Sequence, residues 1–121
     1  MSNYKYFTEN ELACKCNECD GEMKPSFMVR LEELREHLGF AFPISSAYRC
    51  PTYNTKIGGA SSSYHMQGRA VDIALNHDQA WQLIAAAPKF GFRGIGINQK
   101  GNGRFVHLDD RTQDKVTLFG Y

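Results

Sequence analysis

The stretch Ser63-Tyr64-His65-Met66-Gln67-Gly68-Arg69-Ala70-Val71-Asp72-Ile73-Ala74-Leu75 decides how this chain is read. Its second half, from Ala70 to Leu75, is apolar except for one acid and is bounded by turn signals, which predicts a strand. Alternation along that strand turns Val71 and Ile73 away from the side that carries Asp72. A carboxylate in so apolar a run is costly to bury unless a cation or hydrogen bonds meet it. His65 stands just upstream, and Gly68 between them permits close backbone approach. A second histidine in a comparable run follows in Phe105-Val106-His107-Leu108-Asp109. Two neutral imidazoles and one carboxylate make a Zn2+ site that leaves a fourth position free for water. That composition is catalytic rather than structural, because structural zinc is usually closed by four protein ligands, mostly thiolates. Taken singly, each residue has a plainer reading. Asp72 could be a strand-end carboxylate bonded to backbone amides, and His37 and His77 read as ordinary helix histidines.

The neighbouring segments predict the frame around these residues. Phe92 to Ile97 and Arg104 to Asp109 read as strands joined at the turn Lys100-Gly101-Asn102-Gly103, an antiparallel hairpin in which Gly94 and Gly96 weaken the first strand. On the returning strand 105, 107 and 109 share a face, so His107 and Asp109 point together. Upstream, Thr8-Glu9-Asn10-Glu11 has the form of a capping box. Pro25 suits a first helical turn, Phe27, Leu31, Leu34 and Leu38 recur at helical spacing, and Gly39 is a natural stop. Residues 43–49 read as a short strand, Pro51 opens a short helix ending at Gly58-Gly59, and Asn76 caps another helix with Ala80, Leu83, Ile84 and Ala87 on its apolar side. The expected fold class is α+β: a small antiparallel sheet with helices packed on one side.

At 121 residues the chain is expected to form a single domain over residues 1–121. Fourteen basic and 13 acidic residues give a net charge of +1, which offers no electrostatic case for nucleic acid or an anionic membrane. No stretch approaches the roughly 18 apolar residues of a spanning helix, and the first residues lack a signal-peptide core. The expectation is synthesis in the cytoplasm without a signal peptide. Cys14, Cys16, Cys19 and Cys50 leave three readings open: reduced buried thiols, disulfides in an oxidising compartment, or a second, structural zinc on four thiolates. A zinc-ribbon regulator built on them would need a nucleic-acid or protein surface for which the charge balance gives no sign.

The decapeptide Ser63 to Asp72 resembles the S-x-H-x-x-G-x-A-x-D motif of the M15 zinc peptidases, the D-alanyl-D-alanine carboxypeptidase family, related to lysostaphin-type endopeptidases and the Hedgehog domain. Ser46-Ala47-Tyr48-Arg49-Cys50-Pro51 with Asn54 is similar to that family's S-x-Y-R-C-P-x-x-N segment, and Gly91 to Gly96 with Phe105 to Asp109 to its C-terminal hairpin. The resemblance is nearest to a compact subgroup found in phage genomes and bacterial wall enzymes. It implies a Hedgehog/D,D-peptidase-like fold with Zn2+ held by His65, Asp72 and His107. It implies that Arg49 binds substrate and holds the developing oxyanion, with Ser63 in support beside the substrate. Many members carry a catalytic acid three residues before the last histidine, where this chain has Arg104. Asp109 matches the aspartate of the subgroup's V-H-x-D motif and is expected either to act as general base or to orient a ligand; Asp110 points the other way.

The implied function is hydrolysis of a peptide bond in peptidoglycan stem peptides, as a D,D-carboxypeptidase or endopeptidase of phage-lysin type. The expected partner is a peptidoglycan peptide, with no nucleic acid and no membrane, and the expected state a monomer acting at the bacterial wall after holin-type release. The alternative is a non-catalytic zinc-containing module for wall binding or virion structure.

Overall fold

Thr8 caps the first helix, α1 (Glu9–Leu12), through the reciprocal pair expected of it: its hydroxyl accepts from the Glu11 N–H at 3.2 Å and the Glu11 carboxylate accepts from the Thr8 N–H at 2.8 Å. The structure, a computed structural model, describes residues 4–16, 19 and 21–121. Asp20, expected in the loop after the cysteines, lies outside them. Helix α2 (Pro25–Leu38) begins on its proline and ends where Gly39, at φ +76°, donates its N–H to the Arg35 carbonyl. The chain continues through β1 (Ile44–Ser46), α3 (Pro51–Lys56), a 3-10 turn over Tyr64–Gln67, β2 (Ala70–Ile73) and α4 (His77–Ala86). It closes with β3 (Gly94–Asn98), β4 (Phe105–Asp109) and β5 (Thr117–Gly120).

The α+β class holds, with one correction to the sheet. The order is β1-β2-β4-β3-β5, and four strands are antiparallel neighbours as expected, but β5 joins β3 in parallel. The reason is geometric. Both sides of β4 are taken by β2 and β3. The chain reverses after β4, passes β3 and pairs with its free edge, so it runs the same way as β3.

Alternation then divides the sheet into two faces. One carries Val71, Ile73, Ile95, Val106 and Leu108, all essentially without solvent exposure, into a single apolar cluster with Phe27, Met28, Leu31 and Leu34 of α2, Leu83 of α4, and Phe92. Phe27 and Phe92 meet edge-on, with ring centroids 5.4 Å apart. Each such ring stabilises the fold by about 1.5–3 kcal/mol relative to an exposed one. On the opposite face, registered pairing lines up Ser46, Asp72, His107, Gly96 and Phe119 in one row across all five strands. The apolar cluster thus supports a rigid plane, and the polar row lies on its far side.

Candidate metal centre and cleft

Asp72 and His107 are direct cross-strand partners on β2 and β4, so their closeness is fixed by sheet register. His65 arrives from the 3-10 turn. Ser63 starts that turn by accepting the His65 N–H on its hydroxyl at 3.2 Å. Gly68 ends it at φ +69°, where a Cβ would press into the backbone of residues 22–24; the Gly68 carbonyl accepts from the Lys24 N–H at 2.9 Å. Glycine is the residue that tolerates this combination of positive φ and close approach.

The three side chains converge. His65 Nε2 lies 3.2 Å from Asp72 Oδ1, and His107 Nδ1 lies 3.0 Å from the same oxygen. One donor atom from each residue falls within 4.8 Å of the others, and all three residues are buried. Metal–ligand bonds of about 2.0–2.1 Å in tetrahedral array require donors separated by about 3.3 Å, so the spacing fits a common ion. The outward ring nitrogens are occupied. His65 Nδ1 is 2.7 Å from the Ala47 carbonyl and His107 Nε2 is 2.7 Å from Asp109 Oδ2. With an ion bound, each acceptor would fix a tautomer in which the outer nitrogen carries the proton and the inner one offers its lone pair to the shared point; without an ion, a protonated ring donates from that inner nitrogen to Asp72.

Burial pushes the Asp72 carboxyl up, but the hydrogen bonds from His107 and His65 outweigh it and hold the group well below the usual carboxylate range. For His107, burial lowers the pKa while bonding to Asp109 and Asp72 raises it, and the net direction is upward. An anion between two imidazoles is a ready cation site. Two imidazoles and a carboxylate, with the fourth direction open to the cleft, suit a catalytic zinc ion.

Asp109 is fully buried behind His107. Besides the imidazole, it accepts two bonds from the Arg111 guanidinium, at 2.8 Å on each oxygen, and one from the Arg111 N–H at 3.2 Å. Burial raises its pKa, but Arg111 and His107 bring it down, so it remains charged. Arg111 lies over the rings of Tyr64 and Phe119 at 5.1 and 5.6 Å. Gly94 explains how so much fits: a Cβ on that residue would run into the Asp109 carboxylate, and one on Gly96 into the Phe119 ring. The glycines that weaken β3 as a strand make room for the site.

Arg49 stands at the rim of the same group. Its guanidinium reaches Ser46 Oγ at 3.1 Å, Asn54 Oδ1 at 3.3 Å and Asp72 Oδ2 at 3.4 Å, and its backbone N–H donates to the His65 carbonyl. Asn54 is buried and holds the next loop by donating to the Ala60 carbonyl at 2.8 Å. Together these residues border a cleft of about 500 Å3, walled also by Tyr64, Phe105, Phe119 and Tyr121. Ser63 lines this cleft as well. Burial pushes the Tyr121 hydroxyl up to about 12, so it keeps its proton at neutral pH.

Other candidates lie elsewhere. Arg104 donates to His77 Nε2 at 3.2 Å and to the Gly101 carbonyl. Asp110 pairs with Arg69 at 2.8 Å. His37 packs near Phe90. Cleft residues given no role from sequence include Tyr64, Phe105, Arg111, Phe119 and Tyr121. The alternation Thr117-Leu118-Phe119-Gly120-Tyr121 carried the signal for Phe119 and Tyr121.

The chain is similar to known proteins over most of its length. The family model for peptidase M15 matches residues 5–109. The chain is also similar to the zinc D-Ala-D-Ala carboxypeptidase of Streptomyces albus G, being 31% identical over 83 residues, which are 67% of this chain and 32% of that protein. It therefore spans about a third of the length of that relative. Among the described residues, no helix is long and apolar enough to cross a membrane.

Proposed function

Because the chain belongs to the peptidase M15 family, we propose that it is a zinc-dependent peptidase that hydrolyses a peptide bond in the stem peptides of bacterial peptidoglycan. The observation that carries this reading is the convergence of His65 Nε2, Asp72 Oδ1 and His107 Nδ1 beside Arg49 in one open cleft. When bound, zinc lowers the pKa of water to about 7 and polarises a carbonyl as a Lewis acid.

The chain's own residues supply the rest. His65, Asp72 and His107 hold the ion. Arg49 stays charged at any relevant pH, and its forked contacts with Ser46, Asn54 and Asp72 keep it where a substrate carbonyl or terminal carboxylate would lie. There it holds the oxyanion that develops during attack. Tyr121 retains its proton and so acts as a donor to a substrate oxygen, not as a base. Phe105 and Phe119 give the cleft an apolar wall suited to an alanine methyl group. Ser63, which caps the turn bearing His65, supports the ligand and borders bound substrate. In this reading Asp109 is a positioning residue for His107, the second of the two roles its motif allowed.

Carboxypeptidase action is the version supported by the cationic rim and by the activity named for the Streptomyces relative. The same proposal places the protein at the bacterial wall, as a lysin-type hydrolase working as a monomer, since one chain completes the cleft. Mass spectrometry of purified wall fragments after incubation tests it. Release of D-alanine or opened crosslinks is expected, and should vanish in His65→Ala, Asp72→Ala and His107→Ala.

One observation favours a second reading. Among the described residues, the carboxylates of the cleft are Asp72 and Asp109, and both are engaged. A module that keeps the ion and binds wall peptide without cutting it would need no free base. Binding of wild-type protein to wall fragments with no product released would establish that reading instead.

A further inference from the structure

Cys14, Cys16, Cys19 and Cys50 form a second cluster, remote in sequence from the histidines and unused by the proposed hydrolysis. Their sulfurs lie close together: Cys14 to Cys50 3.7 Å, Cys16 to Cys19 3.4 Å, and Cys16 to Cys50 3.8 Å, with all four within 4.8 Å of one another. A disulfide holds its sulfurs at about 2.05 Å, so no pair here is joined as a disulfide. Four thiolates around Zn2+ at about 2.3 Å from the metal form a tetrahedron with edges near 3.8 Å. Three sulfur pairs, at 3.4–3.8 Å, match such edges, and the others lie within 4.8 Å.

We propose that these four cysteines bind a second Zn2+ in a closed, structural site made wholly of thiolates. The donor set supports that choice, because four soft thiolates leave no position for substrate or water and select zinc over hard cations. Backbone groups complement the charge. The Cys50 N–H donates to Cys14 Sγ and the Tyr53 N–H to Cys50 Sγ, both at 3.4 Å, as metal-bound thiolates favour.

The location gives the ion a purpose. Cys14, Cys16 and Cys19 belong to a segment between α1 and α2 that has no helix or strand among its described residues. Cys50, directly after Arg49, caps the start of α3. The Tyr48 N–H also donates to the Leu12 carbonyl, and the chain at Gly21 lies so near the Tyr48 ring that a Cβ there would strike it. Metal binding would join this irregular segment to residues 47–50, which also carry the Ala47 carbonyl that orients His65 and the Arg49 side chain. The second ion would fasten the N-terminal arm to the back of the candidate active site.

Native mass spectrometry and metal analysis of protein purified without chelator test the proposal. The expected wild-type content is two zinc ions per chain. The double variant His65→Ala/Asp72→Ala, with every cysteine intact, should retain one, and Cys16→Ser/Cys19→Ser should retain one in the histidine site. Cobalt substitution in the His65→Ala/Asp72→Ala protein should give a thiolate-to-metal charge-transfer band. That readout stands even if the cysteine variant does not fold, and it is independent of hydrolysis. A His65→Ala/Asp72→Ala protein without metal overturns the proposal. So does a denatured mass short of two hydrogens for each disulfide, or iron in place of zinc in the cysteine site.

Discussion

Asp109 Oδ2 lies 2.7 Å from His107 Nε2, on the side of the imidazole away from Asp72. A carboxylate in that position orients a metal-binding histidine and strengthens it as a ligand. Asp109→Ala should therefore weaken metal binding at the histidine site by about 10–100-fold, read by competition against a chelator of known affinity. Lost hydrolysis with unaltered metal affinity would instead make Asp109 the proton acceptor.

Arg49→Lys keeps the positive charge and loses the fork that Ser46, Asn54 and Asp72 hold. The expected result is a fall in kcat of about 100–1,000-fold with full occupancy of the histidine site. Turnover of wall fragments, measured beside metal content, checks it. An unchanged kcat would show that Arg49 serves only to pair with Asp72.

Gly94→Ala places a methyl group against the buried Asp109 carboxylate. Overpacking of this kind costs about 1–3 kcal/mol, and denaturant unfolding should show it. Gly96→Ala presses on the aromatic rings of Phe119 and Tyr121, at the edge strand, and should cost less. Equal effects would mean that the Asp109 side chain relaxes as readily as the rings.

The metal-free protein should have a pH dependence set by the same cluster. The pKa of His107 is raised above 6.5 by its carboxylate partners, burial opposing. Its contribution is then fully present below the unfolded value and fades as pH rises through the folded one. Asp72 and Asp109 are depressed below 3.8, so their contribution is present above that value and is lost as pH falls through the folded pKa values. Melting temperature of the metal-free protein should decline as pH rises above the unfolded value of 6.5, and His107→Gln should flatten that decline. A flat wild-type profile would count against the His107 pairing.

Much of this was legible because chain-local rules governed it. Thr8, Pro25 and Gly39 mark their helix ends by capping chemistry, which acts over a few residues. The facing of Val71 and Ile73 against Asp72 follows from strand alternation alone. What sequence did not show was pairing at a distance. β5 escaped because its partner β3 is not its neighbour along the chain. Asp109 was left with two roles, base or orienting group, because its motif says nothing of Arg111, which reaches back from the following loop to hold it. Gly94 and Gly96 read as flaws in a strand until the atoms that would fill their missing side chains were located.

The row of residues that crosses the sheet ends on β5, and Tyr121 stands on the cleft wall. A purification handle or partner fused after Tyr121 therefore leaves the chain directly beside the cleft and would crowd whatever occupies it.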